Sequence, residues 1–389
     1  MKICFIVQDI FSVGGIQRVV SVLANELVKK NQVDILCISH NKNEDRSLYN
    51  LNEKINVVID DSFLKRRIIN KFPSKVLRKL NNRFNFLNNI RSVNILRYAY
   101  YPKEVLNRFE SYINTNNYDV VIGVANEYSL LLSIIAKRVN CRTIGWQHSS
   151  YDAYFNTKGA YSYHQEELYK KYMNNLDQLI VLTNYDKSMY ETKLNISTKV
   201  IYNPITIKCD KKSKLDNKVI LFAGRLEESK GVDLLLKTFA IVHRRRPDWK
   251  LYIAGDGSKK DEIIESIREK NLDDYVSMLG NIKDMMKQYC SSSIFVSSSR
   301  WEGFGLSLIE AMGCGVPVVS FANSGPNEII DDNWKNGILI EKYDIDNFAD
   351  AIIRLIDDKK LRELIGSESI KRAEEFLINN ILTEWYSIF

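Results

Sequence analysis

The chain has 389 residues, of which 45% are hydrophobic and 26% charged, and its formal net charge is +7. That length is too great for one compact core and points to two domains, while the composition excludes a disordered chain. No apolar run reaches the length of a membrane-spanning helix.

The opening "MKICFIVQDI" is short, apolar and without a small-residue cleavage pattern, so it is expected to be a strand and not a signal peptide. "SVGGIQRVV" follows, with Gly14 and Gly15 ahead of a helix. Paired glycines there let backbone N–H groups approach an anion at the helix N-terminus. The spacing is not GxGxxG, so a dinucleotide site is not supported. "QVDILCIS" is a second strand.

Between Asp61 and Glu104 there is no acidic residue, yet eleven lysines and arginines fall there: Lys65, Arg66, Arg67, Lys71, Lys75, Arg78, Lys79, Arg83, Arg91, Arg97 and Lys103. Bulky apolar residues, among them Phe63, Phe72, Val76, Leu80, Phe84 and Phe86, are interleaved with them. Basic and apolar residues at helical spacing fit a segment, about 63–103, that lies on an anionic membrane surface. A solvated basic face is the plainer alternative. No nucleic-acid-binding motif accompanies the charge.

Next come the strand "YDVVIGVA", the helix "SLLLSIIAKRV", the strand "CRTIGWQ", the helix "HQEELYKKYMNNL" and the strand "QLIVLT". Alternating β and α at this spacing means a parallel sheet wrapped by helices. A lysine-rich polar stretch containing Asn203-Pro204 breaks the pattern, placing a hinge near 185–215. Alternation then resumes at "KVILFAG" and continues through "WKLYIAG", "VSMLG", "SIFVSS" and "VPVVSF". The expected fold class is α/β, two facing Rossmann-like domains with an interdomain cleft. The six cysteines form no CxxC pair and no zinc spacing, which suits a reducing cytoplasm.

In the second half, "AGRLEESKG" puts Arg225 and Lys230 on a strand-to-helix loop. Two fixed cations there can neutralise a leaving diphosphate, a task a metal could otherwise perform. "SSSRWEGFGLSLIEAMGCGVPVV" places Glu302 before Gly303 and Gly305, with Glu310 in the helix behind. Ser307-x-x-Glu310 also matches a capping box, which would explain Glu310 alone. Asp344-x-Asp346 imitates a metal motif but directly precedes a helical run, where an N-cap aspartate is expected.

These stretches, with "LYIAGDG", "LGNIKDM", "SGPNEII" and "NGILI", resemble those of retaining family 4 glycosyltransferases of GT-B architecture. The second half carries most of the resemblance; the first shares the glycine pair and His148. The resemblance implies an acceptor-binding domain over 1–195 and a nucleotide-sugar-binding domain over 196–374. It also implies a final helix, about 375–389, packed back on the first domain. Arg225 and Lys230 would hold the donor diphosphate, and Glu310 the ribose hydroxyls. Glu302, with Gly303, Phe304, Gly305 and Leu306, would face the donor sugar and phosphate, and Asn281 and Ile282 the base. Gly14 and Gly15 would approach the diphosphate, and His148 the donor sugar. Ser149 stands where many relatives have an acid, leaving Asp152 without an assigned role.

The implied activity is metal-independent, retaining transfer of a hexose or N-acetylhexosamine from a nucleotide sugar, UDP before GDP, with no cofactor. The acceptor would be a lipid-linked saccharide in bacterial capsule, O-antigen or related polysaccharide synthesis, and the enzyme cytoplasmic and peripheral to the inner membrane face. A nucleotide-sugar epimerase and a non-catalytic nucleotide-sugar-binding protein are the alternatives on this architecture.

Overall fold

The computed structural model describes residues 1–39, 44–66, 68–158 and 161–389. The chain divides into two compact units, residues 1–202 with 382–389, and residues 203–381. The expected α/β class is observed in both.

The first unit is built on seven parallel strands: β1 Lys2–Val7, β2 Gln32–Cys37, β3 Asn56–Ile59, β4 Val120–Val124, β5 Arg142–Trp146, β6 Gln178–Val181 and β7 Lys199–Val200. Their order is β3-β2-β1-β4-β5-β6-β7. The central strands are buried along nearly their whole length, as expected of a sheet covered by helices on both faces. Their near-continuous Val, Ile and Phe content follows from that double burial.

The second unit holds six parallel strands: β8 Val219–Ala223, β9 Lys250–Ala254, β10 Val276–Gly280, β11 Ile294–Ser297, β12 Val318–Phe321 and β13 Ile338–Ile340. Their order is β10-β9-β8-β11-β12-β13. In both sheets the winding direction reverses once, between β1 and β4 and between β8 and β11. Loops leaving the carboxyl ends of such strand pairs diverge to opposite faces, which opens a crevice suited to a ligand.

The last residues of the chain belong to the first unit, where Trp385 is fully buried. Its ring meets Trp146 edge-on at 4.8 Å between centroids. No helix among the described residues is long and apolar enough to cross a membrane.

Candidate functional site

The loops that leave β8 and β11 carry Arg225, Lys230 and Glu302, so three of the expected residues flank the reversal point of the second sheet. After β8 the backbone makes a short 3-10 turn, Glu228–Lys230, and Gly231 joins it to the helix Val232–Arg245. Gly231 has φ +59°, and a Cβ there would lie 2.2 Å from the Ser298 carbonyl oxygen. Only glycine allows the two loops to come this close.

Further bonds join the loops. Ser298 Oγ donates to the Lys230 carbonyl at 3.0 Å, and Arg300 N donates to the Ser229 carbonyl at 2.7 Å. The Arg300 guanidinium grips Asp233 through two 2.8 Å bonds. This places the Lys230 ammonium against Glu302, donating to Oε2 of a carboxylate that Ser299 Oγ also approaches at 3.3 Å. Both side chains of the pair are mostly withdrawn from solvent. Arg225 differs: it is exposed, and its guanidinium makes no hydrogen bond or ion pair among the described residues.

Gly303, Phe304 and Gly305 follow Glu302. Gly305, at φ +112°, forms the N-cap of the helix Leu306–Gly313 without a side-chain cap. Phe304 turns inward, 3% exposed, with its ring edge-on to Phe376, so only its backbone faces the loop side. Leu306 is half-buried at the helix start. Ser307 lies inside that helix, so Ser307-x-x-Glu310 is not a capping box. Glu310 is instead 1% exposed and bridges two segments. Thr206 Oγ1 donates to its Oε1 at 2.5 Å, and the Tyr289 hydroxyl to its Oε2 at 2.9 Å. An ionised carboxylate has lone pairs for further donors, so it can be held from behind and still receive hydroxyls.

Asn281, exposed, and Ile282, half-buried, follow β10 at the sheet edge, two strands from β8. Asp344 is the N-cap of the helix Ile345–Asp357 and accepts from Asn347 N at 3.0 Å, which accounts for the Asp344-x-Asp346 pattern.

The remaining expected residues lie in the first unit. Gly14 caps the helix Gly15–Leu27 in extended geometry, and its N–H donates to the Tyr49 hydroxyl at 2.9 Å. Gln17 braces the same loop, its Nε2 donating to the Asp9 carbonyl and Ser12 Oγ, both at 3.0 Å. His148 follows β5, its ring 4.3 Å from that of Trp146. Its backbone N–H and that of Ser149 both donate to the Tyr154 hydroxyl, at 3.1 and 3.2 Å. Burial lowers the His148 pKa to about 3, so the ring is neutral at physiological pH. Its Nε2 is buried and unpartnered among the described residues. Asp152 accepts from the Tyr185 hydroxyl at 2.7 Å and from Asn156 Nδ2 at 2.6 Å, a locally engaged carboxylate.

Sequence reasoning did not find Thr206, Tyr289 or Ser299, which hold the two glutamates. Thr206 lies 104 residues from Glu310, and no spacing rule could have paired them.

The second unit thus holds two cations and one glutamate on the loops at the strand reversal, and a second, buried glutamate in the helix behind them. The description "Glycosyltransferase Family 4" matches residues 13–208, and "Glycosyl transferases group 1" matches residues 205–372. The chain is 27% identical over 394 residues to an uncharacterised glycosyltransferase of Haemophilus influenzae, covering 100% of this chain and 99% of that one. It is 31% identical over 256 residues to the poly(ribitol-phosphate) α-N-acetylglucosaminyltransferase of Staphylococcus aureus, covering 64% of this chain and 51% of that protein. A variant of S. aureus TarM, solved with fondaparinux, α-GlcNAc-glycerol and UDP, superposes with a TM-score of 0.78 at 19% identity, covering 100% of this chain and 99% of that one. At that identity the likeness speaks for the fold alone. The chain belongs to the family 4 glycosyltransferases and has the GT-B architecture.

Proposed function

We propose that the chain is a retaining, metal-independent transferase that moves a hexose or N-acetylhexosamine from a nucleotide sugar to a lipid-linked saccharide. The observation that carries this reading is the placement of Arg225, Lys230 and Glu302 on the two loops at the β8–β11 reversal. UDP is the favoured nucleotide, supported by the relative solved with UDP. Retention is supported by the α-linkage named for the S. aureus relative.

In this reading the departing diphosphate lies against Arg225, Lys230 and the free N–H groups at the start of the helix Leu306–Gly313. Their charges strengthen their hold as negative charge develops on the leaving oxygen. Lys230 must then exchange part of its contact with Glu302 for phosphate, which leaves the carboxylate to accept sugar hydroxyls. Glu310, held by Thr206 and Tyr289, receives the ribose hydroxyls, and Asn281 and Ile282 border the base. In the first unit the neutral ring of His148 can hydrogen-bond a sugar hydroxyl, and Gly15 can offer its backbone N–H to an anion, that of Gly14 being held by Tyr49. The acceptor attacks from the leaving-group side and gives its proton to a donor phosphate oxygen.

The membrane role rests on the helix Ile68–Phe84. Phe72, Val76, Leu80 and Phe84 are all exposed and recur every fourth residue, forming one apolar stripe. Lys71, Lys75, Lys79 and Arg83 form an adjoining exposed cationic stripe. Other members of the basic segment serve the fold: Arg66 donates to the Ala99 and Tyr100 carbonyls, Arg97 to that of Tyr101, and Phe63 and Leu87 are buried. Arg67 lies outside the described residues. A cationic stripe beside an apolar one suits the headgroup region of an anionic leaflet, where a lipid-linked saccharide of a bacterial surface polysaccharide is assembled. The proposed location of the enzyme is therefore the cytoplasmic membrane face.

The test is a screen of UDP- and GDP-sugars with and without a short lipid-linked acceptor, reading released nucleotide and product mass for wild type and Arg225→Ala. Arg225 is exposed and unpaired, so its removal spares the fold. Acceptor-dependent release from one donor, strongly reduced in the variant, is expected. Isomerised donor without acceptor would establish an epimerase instead, and nucleotide binding without turnover on any acceptor a non-catalytic protein.

A further inference from the structure

Three cysteines far apart in sequence, Cys209, Cys290 and Cys314, meet in the second unit at the carboxyl end of the helix Leu306–Gly313. Cys314 is fully buried, and Cys209 and Cys290 are half-buried. Cys209 lies tight against the helix end: a Cβ placed on Gly313 would be 2.8 Å from its Sγ. The Cys209 Sγ also reaches the Glu310 carbonyl at 3.9 Å. Cys314 N donates to the same Glu310 carbonyl at 3.1 Å, which sets Cys314 beside the Cys209 thiol. Cys290 points elsewhere as well, donating to the Lys211 carbonyl at 3.4 Å.

We propose that this cluster is a thiol-oxidation site for hydrogen peroxide, in which Cys209 is the attacking thiol and Cys314 the resolving one. The accessible member of the pair is Cys209, since Cys314 has no solvent exposure. Cys209 Sγ attacks a peroxide oxygen, the O–O bond breaks, and the hydroxide released leaves as water with the thiol proton. The product is a sulfenic acid on Cys209. Cys314 Sγ then attacks the Cys209 sulfur, the S–O bond breaks, and water leaves with the Cys314 proton. The balance is two thiols and one peroxide to one disulfide and two waters.

The surroundings favour this division of labour. A hydrogen bond from Cys314 lowers the Cys209 pKa, and the nearby Lys212 ammonium adds to that, against opposing burial and the carboxylates of Glu310 and Asp210. Lys212 is tied in place, donating to the Cys209 carbonyl at 3.1 Å and to the Gly313 carbonyl. The Cys314 thiol is held protonated, first by its bond to Cys209 and then by burial. Elsewhere, Cys141 is also half-buried, but burial pushes its thiol up to about 11, which makes it an internal control. A thiolate is the reactive form, so pKa and access together select Cys209.

The test uses the folded full-length protein. Brief treatment with limiting hydrogen peroxide, alkylation of the remaining thiols and peptide mapping should give a Cys209–Cys314 link that dithiothreitol reverses. Cys209→Ser should abolish the link. Cys314→Ser should leave a sulfenic acid on Cys209 that dimedone traps. Because Cys314→Ser alters a buried position, a second measurement uses wild type alone. With limiting iodoacetamide at pH 7, Cys209 should react at least about tenfold faster than Cys141. A link through Cys290, oxidation without a Cys209–Cys314 link, or equal labelling of Cys209 and Cys141 would overturn the proposal.

Discussion

Lys230 and Glu302 form an ion pair across two loops that leave neighbouring strands of the second sheet. Each side chain thereby holds the other in the position where a donor's phosphate and sugar are proposed to meet. Lys230→Ala should lower kcat with the preferred donor by about 10²–10³, the loss typical of one preorganised donor to a developing anion. Glu302→Gln frees Lys230 for phosphate, so UDP affinity should hold within about threefold while turnover falls. Steady-state kinetics and calorimetric titration with UDP read the two effects separately. Parallel losses of both would show that Glu302 only positions Lys230.

Glu310 accepts from Thr206 and Tyr289 in a buried setting, so its variants separate fold from function. Glu310→Ala strands two hydroxyls and opens a void, and should cost about 2–5 kcal/mol in urea unfolding. Tyr289→Phe removes one bond to the carboxylate and should cost about 1–3 kcal/mol. Glu310→Gln keeps the volume, so its UDP affinity should fall about tenfold with a smaller loss of stability. Undiminished UDP affinity in Glu310→Gln would assign the residue to structure alone.

Burial depresses the pKa of His148 to about 3, against an unfolded value of about 6.5. Between these values the unfolded chain binds the proton that the folded chain does not. Stability from this group is therefore fully present above about pH 6.5 and is lost as pH falls toward 3. At pH 5.5 the loss should be about 1 kcal/mol relative to pH 8, and His148→Gln should remove that part of the slope. Urea unfolding at the two pH values is the measurement. An equal slope in wild type and variant would show that the ring titrates normally.

The paired stripes on Ile68–Phe84 give a salt-dependent prediction. Replacing Lys75 and Lys79 together by Gln should weaken binding to anionic vesicles by roughly thirty-fold, at about 1 kcal/mol per cation. Phe72→Ala with Phe84→Ala should weaken it at all salt concentrations, because apolar insertion is not screened. Vesicle cosedimentation at two ionic strengths distinguishes the effects. Wild type that fails to bind anionic vesicles at low salt would remove the membrane role.

The sequence alone carried the α/β class, because alternating apolar runs and helical periods are local signals, and its motifs carried the resemblance to the glycosyltransferase family. It also carried the place of Arg225, Lys230 and Glu302 on strand-to-helix loops, since such loops lie at the carboxyl edge of a parallel sheet. The capping of the helix Ile345–Asp357 by Asp344 was equally legible, because a cap is completed within one turn.

Tertiary structure decided the partners. Thr206 and Tyr289 reach Glu310 from distant segments, Lys230 meets Glu302 from 72 residues away, and three scattered cysteines converge on one helix end. It also decided which face of the basic helix is outward. That helix buries Ser74 and Asn81 and exposes Phe72, the reverse of what hydrophobicity alone would assign. Asn81 is buried because its amide bonds to the His164 carbonyl and the Leu87 N–H, partners contributed by other parts of the chain. A buried polar group depends on such partners, and the chain brings them to it only when it folds.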